Sequence, residues 1–151
     1  MELGNLSHSD LDDLPWAVLE RPWGTTEMKL VRCSPIRGTY TNIIRLSAGT
    51  VLPKHLHTGG VHSFTFKGRW HYYEHPWVAA AGHYVYEPVG TVHTLEVLED
   101  TEALFVNEGT IIWYDGDDRM SKYQDAGMVL DDCVAALKKQ GLELPSIVVQ
   151  D

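Results

Sequence analysis

Between Ala17 and about Thr110 the apolar residues come in short runs broken by turn residues, and within many runs they alternate with polar ones. That period of two belongs to half-buried β-strands. It predicts strands at Met28–Arg32, Tyr40–Leu46, Leu52–His57, His62–Phe66, Arg69–Glu74, His83–Glu87, His93–Val97, Glu102–Glu108 and Ile111–Tyr114. Turns are predicted at Ser34-Pro35, Ser47–Gly49, Thr58-Gly59-Gly60, Lys67-Gly68, Ala81-Gly82, Pro88–Gly90 and Glu99-Asp100. Strands at such regular spacing fit an all-β sandwich or barrel. The period then changes. Leu130, Cys133, Val134 and Leu137 recur at three- and four-residue steps, which predicts one helix over Met128–Gln140. Asp131 and Asp132 near its start, Lys138 and Lys139 near its end and Gly141 beyond suit a helix dipole and a left-handed cap. This helix is expected to pack outside the barrel. The polar residues 1–13 read as a flexible N-terminal arm, and residues 14–151 as one domain.

Composition narrows the picture little. The chain has 151 residues, 44% hydrophobic and 22% charged, as in ordinary globular domains. Its formal net charge of −9 argues against a nucleic-acid partner. No apolar run is long enough to span a membrane, and the N-terminus is not patterned as a secretory signal, so a cytoplasmic location is expected. Cys33 and Cys133 form no Cys-x-x-Cys pair and read as reduced, buried thiols.

The chemistry lies in the histidines. There are eight, and seven fall between His55 and His93. His55 and His57 flank Leu56, so on a strand both rings point to one face and can reach one metal ion. Downstream, Gly82 is followed by Pro88, Gly90 and His93, and the Pro-Val-Gly turn would return His93 toward the barrel interior. These two segments resemble the two motifs of the cupin superfamily. Gly49, His55, His57 and Gly68 match the first; Gly82, Pro88, Gly90 and His93 match the second. Two positions depart from it: His62 stands where the first motif has an acidic ligand, and Val97 where the second ends in Asn.

Further segments resemble the 2,4'-dihydroxyacetophenone dioxygenase family. They are the run from His55 to His62, Gly68-Arg69-Trp70, Glu74-His75, Trp77-Val78-Ala79 and Tyr84–Pro88. More loosely, the motif and length resemble acetylacetone-cleaving dioxygenases. The resemblance implies a single RmlC-like jelly-roll cupin barrel with one C-terminal helix. It implies one divalent metal, Fe(II) foremost, on His55, His57 and His93, with zinc or nickel able to take its place on purification. It further implies O2 and a small aromatic or aliphatic ketone as reactants, a carbon–carbon bond being cleaved. Small cupins commonly pair, so a homodimer or homotetramer is expected. A non-catalytic binding cupin and a cupin isomerase or lyase are the competing readings.

Supporting residues stay open. His62 reads as a fourth ligand, a substrate hydrogen-bonder or a barrel histidine. Glu74 reads as a base, as a carboxylate supporting a ligand imidazole, or as an exposed edge residue. Glu87 has a catalytic reading beside a turn-capping one. His71, His75 and His83 read as surface residues. Trp70 and Tyr72 are candidates for substrate contact, among possible lining aromatics that include Phe64, Phe66, Trp77 and Trp113.

Overall fold

The computed structural model describes residues 7–150. Ten antiparallel strands form one curled sheet: β1 (Ala17–Arg21), β2 (Gly24–Ser34), β3 (Thr39–Leu46), β4 (Val51–His57), β5 (Val61–Tyr72), β6 (Ala79–Ala80), β7 (Tyr84–Glu87), β8 (Val92–Glu108), β9 (Ile111–Tyr114) and β10 (Met120–Gln124). The main order is β1-β2-β3-β8-β4-β9-β10, while β5 pairs with β6, β7 and β8. The single helix, α1 (Ala126–Lys139), follows the last strand. The all-β barrel expectation holds.

Two predicted turns are kinks instead. Lys67-Gly68 and Glu99-Asp100 lie inside β5 and β8, which pair with each other past both points through register shifts. Gly68 takes a φ of +83°, and a Cβ there would stand 2.3 Å from the Asp100 carbonyl oxygen. A glycine is thus required where the two bent strands press together. The kink also changes parity. Val61, Ser63 and Thr65 face inward before it; Trp70 and Tyr72 face inward after it. Three short elements escaped the sequence reading: β1 with its tight turn into β2, β6 and β10.

The helix begins earlier than predicted, capped by the Asp125 carboxylate, which accepts from the Met128 amide at 2.9 Å. Asp131 and Asp132 lie beyond the first turn, and Asp132 pairs with Arg21 of β1 at 2.8 Å. The buried face is Ala126, Val129, Cys133, Ala136 and Leu137; Val134, expected in it, is 45% exposed. That face packs with Leu14, Ala17, Leu30 and Cys33 in one core cluster. Neither cysteine is in a disulfide, and both are buried. A second cluster, around Leu46, Trp70, Tyr72, Leu95 and Val97, lies where β5 and β8 continue past the kink. Of the expected arm, residues 1–6 lie outside the described residues. Leu11–Asp13 form one turn of 3-10 helix, held where Lys29 Nζ donates to the Leu11 carbonyl at 2.6 Å. No helix among the described residues is long and apolar enough to cross a membrane.

Candidate metal centre

Strand alternation carries His55 and His57 to the same buried face of β4, as their spacing predicts. His93 sits opposite His55 in the β4–β8 ladder. The turn between β7 and β8 is tied to His57 from both sides: the Gly90 amide donates to the His57 carbonyl at 2.8 Å, and the His57 amide to the Thr91 carbonyl at 3.1 Å. Gly90 has a φ of +84°, which lets the chain reverse within this turn. All three rings are buried, and each offers a nitrogen within 4.8 Å of those of the other two.

His55 Nδ1 lies 2.8 Å from the Pro53 carbonyl. A carbonyl only accepts, so Nδ1 carries the proton and Nε2 keeps its lone pair for a metal. Burial keeps the rings neutral, as ligands must be. It lowers the His55 pKa to about 4, the Pro53 hydrogen bond opposing. It lowers that of His57 to about 3, assisted by His55. His93 is lowered by burial, then by His55, His57 and His75.

The acidic partner comes from an unexpected place. Glu87, the last residue of β7, is buried and points its carboxylate at the rings. Its Oε2 lies 3.3 Å from His57 Nε2 and 3.4 Å from His93 Nε2. Its Oε1 accepts a hydrogen bond from the Tyr72 hydroxyl. The Tyr72 ring in turn stacks on His93, with centroids 3.7 Å apart and planes 9° from parallel. Tyr72 therefore holds one ligand ring and one carboxylate oxygen in place together. Burial pushes the Glu87 carboxyl up to about 7, against the lowering effect of the Tyr72 hydrogen bond. Glu87 Oε2 and His93 Nε2 are both buried without a hydrogen-bond partner among the described residues. Buried polar atoms are seldom left so, and a cation between three imidazoles and a carboxylate would satisfy both. The donor set fits a divalent metal.

The other predicted residues lie elsewhere. His62 is exposed on the outer face of β5, its Nδ1 bonded to the Tyr84 hydroxyl, because Val61 and Ser63 on either side take the inward positions. It is neither ligand nor barrel-lining group. Glu74 is exposed beyond the end of β5, where both its oxygens accept from the Thr94 amide at 3.1 and 2.9 Å. It braces the strand end and does not reach the rings. Trp70 is buried, but its Nε1 donates to Thr65 Oγ1 at 2.9 Å and its ring packs in the second core cluster, away from the cavity wall. Tyr72 does line the cavity, though its hydroxyl is committed to Glu87. Phe64 and Phe66 are on the outer face, and Trp77 packs against the second cluster. Trp113 lines the cavity and lies against His55, with centroids 4.6 Å apart. His71 bonds Glu96, and His75 and His83 are exposed, as their surface reading expects.

The barrel holds a half-open cavity of about 110 Å³, onto which His55, His57 and Glu87 open. Much of its wall is apolar, with Leu46, Leu52, Leu95, Phe105 and Ile111 contributing.

Comparison with known proteins agrees with this fold. A family model for the ChrR cupin-like domain matches residues 6–112. An RmlC-like cupin protein from Ralstonia eutropha JMP134 is 29% identical, with a TM-score of 0.86 over 95% of this chain and 94% of its own. A second protein from that organism, of unknown function and cupin-like fold, is 26% identical, with a TM-score of 0.89 over 100% and 96%. An acetylacetone dioxygenase from Acinetobacter johnsonii shares the fold at 18% identity, with a TM-score of 0.74 over 90% and 99%. No curated protein matches the chain significantly.

Proposed function

This chain belongs to the ChrR cupin-like domain family, and on that footing we propose that it is a metal-dependent dioxygenase cleaving a carbon–carbon bond in a small hydroxyketone or diketone. The observation that carries the reading is the buried cluster of His55, His57 and His93 with an unpartnered Glu87 oxygen aimed into it. The acetylacetone dioxygenase that shares its fold supports the choice of reaction. The three histidines would hold one ion, with Fe(II) the working metal. Bound there, the metal supplies a Lewis acid and open positions for a chelating ketone and O2. Residues 14–151 act as the single cupin domain, in the cytoplasm, with no nucleic-acid or membrane partner.

The chain's own groups supply the rest. His55 is oriented through Nδ1 by the Pro53 carbonyl. Tyr72 fixes Glu87 Oε1, so Oε2 is the atom free to face the metal or to take a proton from a bound ketone. The apolar wall excludes water. Oxygen uptake by anaerobically purified, Fe(II)-loaded protein, measured over a panel of small hydroxyketones and diketones, tests the assignment. We expect uptake with at least one of them, a hydroxyketone giving two acids and a 1,3-diketone giving one acid and a 2-oxoaldehyde; absence of uptake with all of them would sink the dioxygenase reading. One observation favours a second reading. If Glu87 closes the shell as a fourth ligand, the centre resembles closed structural metal sites, and the protein would bind metal and ligand without turnover.

Four aromatics, Phe64 and Phe66 (each 41% exposed), Tyr84 (60%) and Tyr86 (52%), lie together on the outer face of β5 and β7. Such a patch marks an association surface, and we expect a homodimer or homotetramer. Light scattering should give that mass for the natural sequence and a smaller one for the double variant Phe64→Asp, Tyr84→Asp. A monomeric mass for the natural sequence removes oligomerisation from the account.

A further inference from the structure

One wall of the cavity is polar in a way the metal centre does not use. Tyr40 and Asn42 on β3 and Asn107 on β8 all line it. Tyr40 and Asn107 are direct partners across the β3–β8 ladder, so their side chains share the inner face. Tyr40 is only 4% exposed, yet its hydroxyl makes no hydrogen bond among the described residues. Burial, then Cys33 and Glu87, raise its pKa, so the phenol stays protonated and able to donate. The two amides are little better served. Asn107 Nδ2 reaches Asn42 Oδ1 at 3.5 Å, and Asn42 Nδ2 reaches the Met28 sulfur at 3.3 Å. A 3.5 Å contact and a thioether acceptor are both weak. Three polar side chains with weak partners or none in the protein thus face the cavity from one wall, and a ligand there would complete them.

The chemistry of that ligand follows. The subsite is uncharged. Arg21, the one guanidinium on the cavity wall, is already paired with Asp132 at 2.8 Å. A phenol and two amides suit a hydroxyl or carbonyl; nothing there neutralises a carboxylate or phosphate. Glu87 lies close enough to raise the Tyr40 pKa, so metal centre and subsite face one small space. At about 110 Å³, that space is smaller than the ~150 Å³ cavity that admits benzene.

We propose that Tyr40, Asn42 and Asn107 form a specificity subsite that binds a hydroxyl or carbonyl at the far end of a short aliphatic ketone, whose near end meets the metal histidines. The inference rests on the metal-site reading above. It selects aliphatic over aryl ketones, and favours a substrate with oxygen at both ends.

The test uses matched probes on the zinc-loaded full chain, where no oxidation occurs. By titration calorimetry, 1,3-dihydroxyacetone should bind about tenfold more tightly than 1-hydroxy-2-butanone, which has a methyl in place of the far hydroxyl. 2-Hydroxyacetophenone should not bind. Tyr40→Phe and Asn107→Leu should erase the preference while the bound zinc is unchanged. Circular dichroism checks the fold of each variant, and Tyr40→Phe is conservative enough to decide the matter alone. Equal affinity for the two aliphatic probes, binding of neither, tight binding of the aryl probe, or a preference surviving in Tyr40→Phe would each overturn the proposal. Zinc stoichiometry in the same samples separates the two claims. Failure of the natural sequence to hold zinc contradicts the metal site, whereas zinc held without the preference contradicts only the subsite.

Discussion

Chelator-treated protein is expected to lose stability steeply as the pH falls from 6.5 toward 4.5. The sign follows from four groups. In the unfolded chain His55, His57 and His93 titrate near 6.5, and in the metal-free fold all three are held well below that. Below pH 6.5 the unfolded state therefore binds three protons that the fold refuses. Glu87 acts in the opposite sense. Its folded pKa of about 7 exceeds the ordinary 4.5, so within this window the fold holds one proton that the unfolded chain lacks. The difference is two protons, which gives a slope of about 3 kcal/mol per pH unit. Against a typical total of ~5–15 kcal/mol, that is enough to unfold the metal-free protein within a few pH units. Urea midpoints measured from pH 7 to 4.5 read the slope directly. His57→Leu removes one histidine and should halve it. Metal-loaded protein should resist to lower pH, because protons must then displace the ion. A flat profile in the metal-free protein would mean that the three rings are not buried as described.

Glu87→Ala is expected to weaken metal binding by about 10- to 100-fold, the range found when a group supporting a metal centre is lost. The physical reason is its placement. Among the described residues it is the one carboxylate with an oxygen within reach of two ring nitrogens, at 3.3 and 3.4 Å, and Tyr72 fixes it there. Glu87→Gln keeps the size and can still accept from Tyr72, so its loss of affinity isolates the charge. His62→Ala and Glu74→Ala should leave affinity unchanged, since His62 faces outward and Glu74 bonds the Thr94 amide. Competitive titration with a zinc-sensitive chromophore gives all four affinities on one scale. Loss of affinity in His62→Ala, with Glu87→Ala unaffected, would return the fourth position to the first motif.

The contrast between Glu87 and His62 shows how far the sequence could be read. The clustering of the three histidines was legible because a two-residue spacing on a strand has one geometric meaning, and the Pro-x-Gly turn has another. The fourth group was not, because spacing from His57 says nothing about which face a residue after a turn will take. Across Thr58–Gly60 the inward positions keep the parity of His55 and His57, so Val61, not His62, faces inward. A usable signal did exist for Glu87. In Tyr84-Val85-Tyr86-Glu87 the alternation puts Glu87 on the same face as Val85, away from the exposed tyrosines. Reading Glu87 chiefly as a turn residue beside Pro88 hid that. Of the three candidates left open beside the imidazoles, His62, Glu74 and Glu87, it is Glu87 whose carboxylate faces the rings. In the fold, the barrel and its helix were legible from periodicity, but the kinks at Gly68 and Asp100 resembled turns. Glycine and acidic residues mark both, and only the pairing of β5 with β8 past those points distinguishes them. The polar wall of Tyr40, Asn42 and Asn107 was hidden for a related reason. It arises from cross-strand register between segments more than sixty residues apart.

The central claim is that His55, His57 and His93 hold one divalent metal ion. Elemental analysis tests it most directly, applied to the natural sequence and to His93→Ala after identical loading and desalting. The account predicts close to one equivalent of metal per chain in the natural protein and almost none in the variant, with both folded by circular dichroism. Equal metal content in the two would contradict it.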